Sequence, residues 1–189
     1  MKTSILYQKD RLETPETELI EEAKKDPEKF EPIYDRYFKQ LFQFVFHRVA
    51  DKSLAADLTS QVFLKALLNL KTYEHKGLPF SSWLYRIAIN ECNLHHRKSR
   101  TKQYVVLDDH NYNLMSEEMD LEREEDRILL KKAISKLSTK EMEVIELRFF
   151  ESLSFKEVSK ILSITENNAK VKLYRALDKL KKLMNAYEK

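Results

Sequence analysis

Residues 137–187 read LSTKEMEVIELRFFESLSFKEVSKILSITENNAKVKLYRALDKLKKLMNAY, a stretch that contains two helix-start signals and a long basic segment. Ser138 precedes Glu141, and Ser154 precedes Glu157, at the spacing of a capping box. In this motif each side chain bonds the backbone amide of the other residue. The stretch therefore predicts two helix starts, and the second one opens a short helix.

A break and a longer helix follow the short one. Ser163 and Ile164 interrupt the apolar pattern, and Thr165 is placed to cap a helix that runs to about Tyr187. Two helices joined by a tight turn, the second of them basic, form the helix-turn-helix arrangement that places a helix in the DNA major groove. The alternative is an ordinary helical hairpin that touches no nucleic acid.

The charge pattern of the longer helix favours DNA binding. Asn167 and Asn168 lie in its first turn, where side chains of a recognition helix meet base edges, and adenine is the favoured partner of an amide. Lys170, Lys172 and Arg175 can neutralise phosphates. We expect Lys179, Lys181 and Lys182 to be a solvated face. The predicted core-facing residues are Val171, Leu173, Ala176, Leu177, Leu180 and Leu183.

Composition favours an all-α protein. The 189 residues include one glycine and four prolines, too few turn residues for a β-rich fold, and they suffice for one or two small domains. The net charge is only +3, but basic residues cluster at 97–102 and along the last helix. Nine acidic residues lie between Asp108 and Asp126. This distribution suits a protein that holds a polyanion at two places.

Several chemistries are not expected. Cys92 is the only cysteine, and together with His95 and His96 it supplies too few ligands for a closed metal shell. No glycine-rich phosphate loop or nucleophile constellation is visible, so we expect no cofactor, no catalytic residue and no enzyme activity. Residues 1–10 lack the apolar core of a signal peptide, and no apolar run reaches membrane-spanning length. We expect a cytoplasmic protein without membrane insertion.

The remaining helices are predicted from caps and periodicity. Helices are expected from Pro15 to about Lys25, from Pro27 to about Val49, over 53–70, and from a cap at Ser81 or Ser82 to about Lys98. A loop over 71–80 contains Gly77 and Pro79. The aromatic residues of 30–46, and Trp83, are expected in the core. Periodicity fails over 99–120, which predicts a flexible acidic linker, and helices resume at Leu121.

Six segments together resemble bacterial RNA polymerase sigma factors of the extracytoplasmic-function (ECF) group, which keep only regions 2 and 4. In the first half these are FEPIYDRY at 30–37, DLTSQVFLKA at 57–66 and FSSWLYRIAIN at 80–90, followed by Arg97 and Lys98. In the second half they are 137–149, 153–158 and NAKVKLYRA at 168–176. The chain departs from the family pattern at Ser60, Gln61, Ile89, Ser163 and the pair Asn168 and Ala169.

The resemblance implies two small helical domains and a specific division of the chain. Residues 1–15 would be an extension and 16–98 a region 2-like domain. Residues 99–120 would be the linker, and 121–189 a region 4-like domain with its helix-turn-helix at 154–173. The chain would bind core RNA polymerase and direct promoter-specific initiation. It would recognise the upstream (−35) element as duplex and open the downstream (−10) element, with an anti-sigma regulator as a further partner.

The resemblance also implies the residues that carry each contact. Upstream duplex would contact Thr165, Asn167, Asn168, Lys170, Lys172 and Arg175. The downstream element, with its melted non-template strand, would contact Lys76, Phe80, Ser81, Ser82, Arg86, Asn90, Arg97 and Lys98, with Leu78 and Pro79 as further pocket candidates. Core polymerase would contact Asp57, Leu58, Gln61, Val62 and Lys65.

Two other interpretations stay open at the level of sequence. One is a transcriptional regulator with a helix-turn-helix of the quorum-sensing type, which binds duplex DNA as a dimer and is not a polymerase subunit. Residues 1–98 would then be a sensor or dimerisation domain. The other is an adaptor in which both helical domains bind proteins.

Overall fold

The computed structural model describes residues 15–99, 107–121 and 123–187, and these form two compact units. Within the described residues, the first unit takes 15–46 and 51–99, and the second takes 47–50, 107–121 and 123–187. All regular elements of these residues are helical, which confirms the all-α prediction. None of the described helices combines the length and apolar character needed to span a bilayer.

The first unit is a helical bundle built from the expected elements. In chain order these are α1 (Glu16–Lys25), a 3₁₀ turn (Pro27–Phe30), α2 (Glu31–Val49), α3 (Lys52–Asn69), a 3₁₀ turn (Leu70–Thr72) and α4 (Phe80–Ser99). The last turn of α2, from His47, belongs to the second unit. Asp51 caps α3, because its carboxylate accepts the Leu54 amide at 2.8 Å.

Aromatic side chains fill much of the first core. Phe44 is buried and meets Tyr85 of α4 edge to face, with the ring centroids 4.9 Å apart. Tyr34 and Phe38 are only half-buried, and both rings lie against the buried Phe63 of α3. The aromatic residues of α2 therefore divide into a fully buried set and a half-buried stack on the side of α3.

The start of α4 differs from the prediction. The helix begins at Phe80, so neither Ser81 nor Ser82 is its cap. Ser82 is buried inside the first turn, and the Phe80 amide donates to the Glu16 carboxylate of α1. The cap thus comes from a distant helix.

The second unit contains the predicted helix-turn-helix. Its elements are α5 (Asp109–Met119), α6 (Glu124–Ile134), α7 (Thr139–Ile145), a π-helical turn (Glu146–Phe150), α8 (Phe155–Ile161) and α9 (Glu166–Tyr187). Both capping boxes are confirmed. Ser138 and Glu141 satisfy each other's backbone amides, and so do Ser154 and Glu157. Helix α9 packs against α6, α7 and α8.

The prediction of a flexible linker over 99–120 is wrong for the part that the structure describes. Residues 100–106, including the short ordered piece expected near 104, lie outside the described residues. Helix α5 follows at once, and Asp108 caps it by accepting the Asn111 amide at 2.7 Å. Asn111, Met115 and Met119 are buried at four-residue spacing. One face of this acidic helix is therefore docked, a pattern that the surrounding carboxylates hide in the sequence.

A buried ionic cluster lies within the second unit. Arg48 is fully buried and donates to Glu146 at 2.9 Å, with Glu143 at 3.5 Å. Burial raises the pKa of Glu146 to about 7; the charge of Arg48 opposes this rise, and that of Glu143 adds to it. Two carboxylates share one guanidinium, so a proton on Glu146 relieves the excess negative charge.

This cluster predicts a pH-dependent stability. Between about pH 4.5 and pH 7, folded Glu146 keeps a proton that the unfolded chain has lost, so the free energy of unfolding should fall as pH rises. Glu146→Gln should lose this part of the pH dependence. Its free energy of unfolding should exceed that of the wild type above pH 7. Chemical denaturation at about pH 5 and about pH 8 measures both effects. Glu117→Gln, at an exposed site of α5, is the control. An unchanged pH dependence in Glu146→Gln would mean that Glu146 is ionised throughout.

Candidate nucleic-acid interface

The turn between α8 and α9 has the geometry of a helix-turn-helix. Ser163 adopts a left-handed conformation with φ of 55°, and the Ile164 amide donates to the backbone carbonyl of Ser159 at 2.9 Å. Thr165 then caps α9, because its hydroxyl accepts the Asn168 amide at 3.2 Å. The predicted break and cap are both confirmed. The Thr165 hydroxyl accepts in this bond, and its O–H remains able to donate.

The buried residues of α9 define which residues face outward. Ala169 and Leu173 are buried, and Val171 lies between them on the opposite side of the helix. The prediction that Val171 faces the core is therefore wrong, and its exposed fraction is 38%. Tyr174 is 62% exposed and lies one turn further along the same side. In the first half of α9 the outward face includes Asn167, Asn168, Val171, Tyr174 and Arg175.

Several basic residues of α9 have partners inside the protein. Lys170 pairs with Glu166 at 3.3 Å and lies 5.5 Å above the Phe155 ring. Lys172 is half-buried at the edge of the helix. Lys179 pairs with Glu141 at 2.8 Å and Lys182 with Asp178 at 2.7 Å. Of the three residues predicted to neutralise phosphates, Arg175 is the one that lies fully on the outward face.

A second basic face lies on α4 of the first unit. Arg86, Asn90 and Arg97 are exposed at spacings of four and seven residues, which place them on one side of a helix. Lys98 is also exposed, about a quarter turn away. Both phosphate-binding and base-binding groups are therefore available along the length of α4.

The loop that precedes α4 is largely exposed, but Phe80, the first residue of α4, is not. Lys76 is exposed and lies 3.6 Å from Glu74, and Gly77 has a φ of 67°, which favours glycine. Ser81 is half-buried. Phe80 has no exposed surface, so its predicted role as a residue in contact with DNA is corrected to a core role. The same correction applies to Ser82, which is 5% exposed.

Phe80 belongs to an aromatic cluster below the loop. Its ring centroid lies 5.0 Å from that of Tyr73 and 5.2 Å from that of Trp83. Tyr73 and Trp83 are 4.9 Å apart, and both are half-buried. Trp83 thus packs at the edge of this cluster and is half-buried, whereas it was expected in the core.

The exposed side of α3 is a mixed polar and apolar stripe. Asp57 and Gln61 are exposed as predicted, whereas Leu58 and Val62 are buried and are removed from the predicted polymerase contact. The Lys65 side chain is 46% exposed, and its ammonium group pairs with the buried Glu91 at 2.6 Å.

Two leucines complete this stripe. Leu64 is 56% exposed and Leu68 is 71% exposed, and both follow Asp57 and Gln61 at helical spacing. Neither leucine is among the five residues predicted to contact the polymerase, although the same periodicity that buries Val62 points both of them outward. The two leucines, one turn apart, form an exposed apolar patch beside the two polar residues.

Two segments of the chain match descriptions of known protein families. Residues 33–102 match the family description Sigma-70 region 2, and residues 127–180 match Sigma-70, region 4. The ECF RNA polymerase sigma factor BldN of Streptomyces coelicolor is 32% identical over 172 residues, which are 88% of this chain and 65% of that protein. The chain thus spans about two thirds of the length of BldN.

Two further similarities concern proteins closer in length. The ECF RNA polymerase sigma factor SigM of Bacillus subtilis is 30% identical over 81% of this chain and 93% of its own. The solved structure of CnrH in complex with the cytosolic domain of CnrY has a similar fold, with a TM-score of 0.63 and 21% identity over 90% of this chain and 97% of that one.

The matches support the sigma factor interpretation and not that of a regulator outside the polymerase. Both characteristic domains are present in the expected order, and SigM, aligned over 93% of its length, is 30% identical to this chain. The chain belongs to the ECF subfamily of RNA polymerase sigma factors.

Proposed function

We propose that this chain binds core RNA polymerase and carries two separate promoter contacts, one in each unit. The observation that carries the proposal is the pair of outward-facing surfaces: amide, apolar and basic groups on α9, and Arg86, Asn90 and Arg97 on α4. The chain itself performs no chemistry in this proposal. It supplies promoter recognition to the polymerase.

Helix α9 is proposed to recognise the upstream element as duplex. Asn167 and Asn168 can form paired hydrogen bonds to adenine, and Arg175 can bind phosphate or guanine. Val171 offers a methyl surface that suits the C5-methyl group of thymine. Lys172 lies at the flank, where a lysine sets register on the phosphate backbone without base preference.

The loop over 74–79 and the exposed side of α4 are proposed to hold the unpaired downstream strand. Opening duplex costs on the order of 1.4 kcal/mol per stacked step. Stacking and electrostatic contacts to the captured strand return ~1–3 kcal/mol per base. Because Phe80 and Ser82 are buried, the proposed contacts are Lys76, Ser81 and the cationic side of α4, with Leu78 and Pro79 at the loop's end.

The exposed stripe of α3, formed by Asp57, Gln61, Leu64 and Leu68, is proposed to bind the polymerase. The two leucines supply apolar area, and the two polar residues set its orientation. An anti-sigma regulator, the further proposed partner, would block initiation most directly by covering this same stripe.

The main test is transcription in vitro. Core polymerase should produce promoter-specific transcripts from a genomic template library only when this protein is added. A regulator outside the polymerase would instead alter transcription that an existing holoenzyme already performs. If the protein binds duplex but yields no new start sites with core polymerase, the sigma factor function proposed for it fails.

The stripe on α3 gives a matched pair of variants. Leu64→Asp with Leu68→Asp should weaken polymerase binding by at least about tenfold, because buried apolar anchors dominate interface energies. Both side chains are exposed, so the fold should persist. Lys71→Asp, also exposed and just beyond α3, is the control. Fluorescence anisotropy with labelled protein measures the affinity, and equal affinities would exclude the stripe from the interface.

The upstream element separates base recognition from phosphate binding. Asn168→Ala should relax preference at one base pair, with a loss of ~1–3 kcal/mol on the best site. Lys172→Ala should weaken binding almost equally on all sequences. It should also lower the slope of log affinity against log salt concentration by about one phosphate contact. Selection of sites from a randomised upstream element, followed by salt titration, gives both quantities. An equal loss on all sequences for Asn168→Ala would contradict its role at a base edge.

A further inference from the structure

Glu16, which is not among the predicted site residues, forms hydrogen bonds with two other helices. It lies in the first turn of α1, outside the segment that matches region 2. Its Oε2 accepts the backbone N–H of Phe80 at 3.0 Å, and its Oε1 accepts the hydroxyl of Tyr37. One carboxylate thus joins α1, α2 and the first residue of α4.

The start of α4 needs an acceptor from elsewhere. The first amides of an α-helix have no partner within the helix, and they attract negative charge. Pro79 precedes α4 and has no side-chain acceptor with which to cap it. The Glu16 carboxylate takes this role. Burial and the hydrogen bond to Glu16 raise the pKa of Tyr37, so its hydroxyl stays protonated and donates to the carboxylate.

Helix α1 lies against both ends of the loop over 74–79. Phe80 is fully buried, and its ring lies 6.1 Å from that of Tyr37 and 5.0 Å from that of Tyr73. Tyr73 precedes the loop and Phe80 follows it. Lys24, at the far end of α1, lies 5.9 Å above the Tyr73 ring. Helix α1 therefore contacts the residues that flank the loop on each side.

We infer that Glu16 is a positioning residue for capture of the unpaired promoter strand. It holds the start of α4 and the ends of the 74–79 loop in one arrangement before DNA arrives, so less conformational freedom is lost on binding. This inference rests on the proposed role of that loop. It adds a requirement from α1, a helix that lies outside the segment 33–102 that matches region 2.

The variants are chosen to separate positioning from folding. Glu16→Ala removes both contacts, whereas Glu16→Gln keeps an oxygen that can accept the Phe80 amide. Tyr37→Phe removes the hydroxyl and leaves the ring. Glu18→Ala, exposed on the same helix, is the matched control. Lys76→Ala combined with Ser81→Ala tests the loop directly.

The first measurement needs no DNA. Trp83 is the only tryptophan of the chain, and it contacts both Tyr73 and Phe80. Acrylamide quenching of its fluorescence should increase in Glu16→Ala and, to a smaller extent, in Tyr37→Phe. It should stay near the wild-type value in Glu16→Gln and Glu18→Ala. Unchanged quenching in both Glu16→Ala and Tyr37→Phe would overturn the inference, whatever the loop does.

The second measurement uses the holoenzyme on a promoter found by the transcription assay. Permanganate footprinting should show that Glu16→Ala lowers opening of a closed template by about tenfold, the scale of one charge-assisted hydrogen bond. Glu16→Gln should restore most of the opening. A premelted template should also restore most of it, and polymerase affinity should be unchanged.

Two results on DNA would count against the inference, and they are distinguishable. In the first, the loop variant lowers promoter opening, whereas Glu16→Ala changes Trp83 quenching but opens the promoter like the wild type. Glu16 would then position the aromatic cluster without contributing to strand capture. If the loop variant itself opens the closed template like the wild type, the proposed loop function fails, and the inference falls with it. In that case Trp83 quenching still shows whether Glu16 orders the aromatic cluster of Tyr73, Phe80 and Trp83.

Discussion

Unpaired amide groups at helix N-termini are the constraint on which this protein depends. The proposed binding segments begin at such termini. Because the chain of 189 residues has only one glycine, side-chain acceptors cap these helices. Ser154 and Thr165 start the two helices of the DNA-binding motif from within their own segments. Glu16 starts α4 from another helix. The position of each DNA-facing surface along the chain follows from where these caps lie.

Burial then decides which way each helix faces. In α9, Ala169 and Leu173 are drawn into the core, and this turns Val171 and Tyr174 outward beside the asparagines. In α3, burial of Val62 has the same effect on Leu64 and Leu68. Apolar residues exposed in this way lie next to polar groups that give direction, a combination typical of surfaces that bind a specific partner. The core of each unit and its proposed binding surface are thus two sides of the same helices.

Charged groups in this protein also serve its internal structure. Lys170 pairs with Glu166 on its own helix and Lys179 with Glu141 of α7, so acidic partners offset part of the positive charge of α9. The acidic segment before α6 contains a docked helix whose methionines are buried. Arg48 is buried between two carboxylates, and this arrangement links the stability of the second unit to pH. A count of charges along the chain therefore overstates the part available to nucleic acid.

The sequence alone determined the features that depend on neighbours a few residues apart. The capping boxes at Ser138 and Ser154 and the break at Ser163 are local, so their residues are sufficient to predict them. The resemblance to sigma factors rests on the same kind of short segments. The tertiary structure decided what depends on distant neighbours. The cap of α4 comes from a residue 64 positions away, and no local pattern could identify Glu16. Phe80 and Ser82 face inward, and Val171 outward, because packing against other helices fixes the rotation of each helix about its own axis.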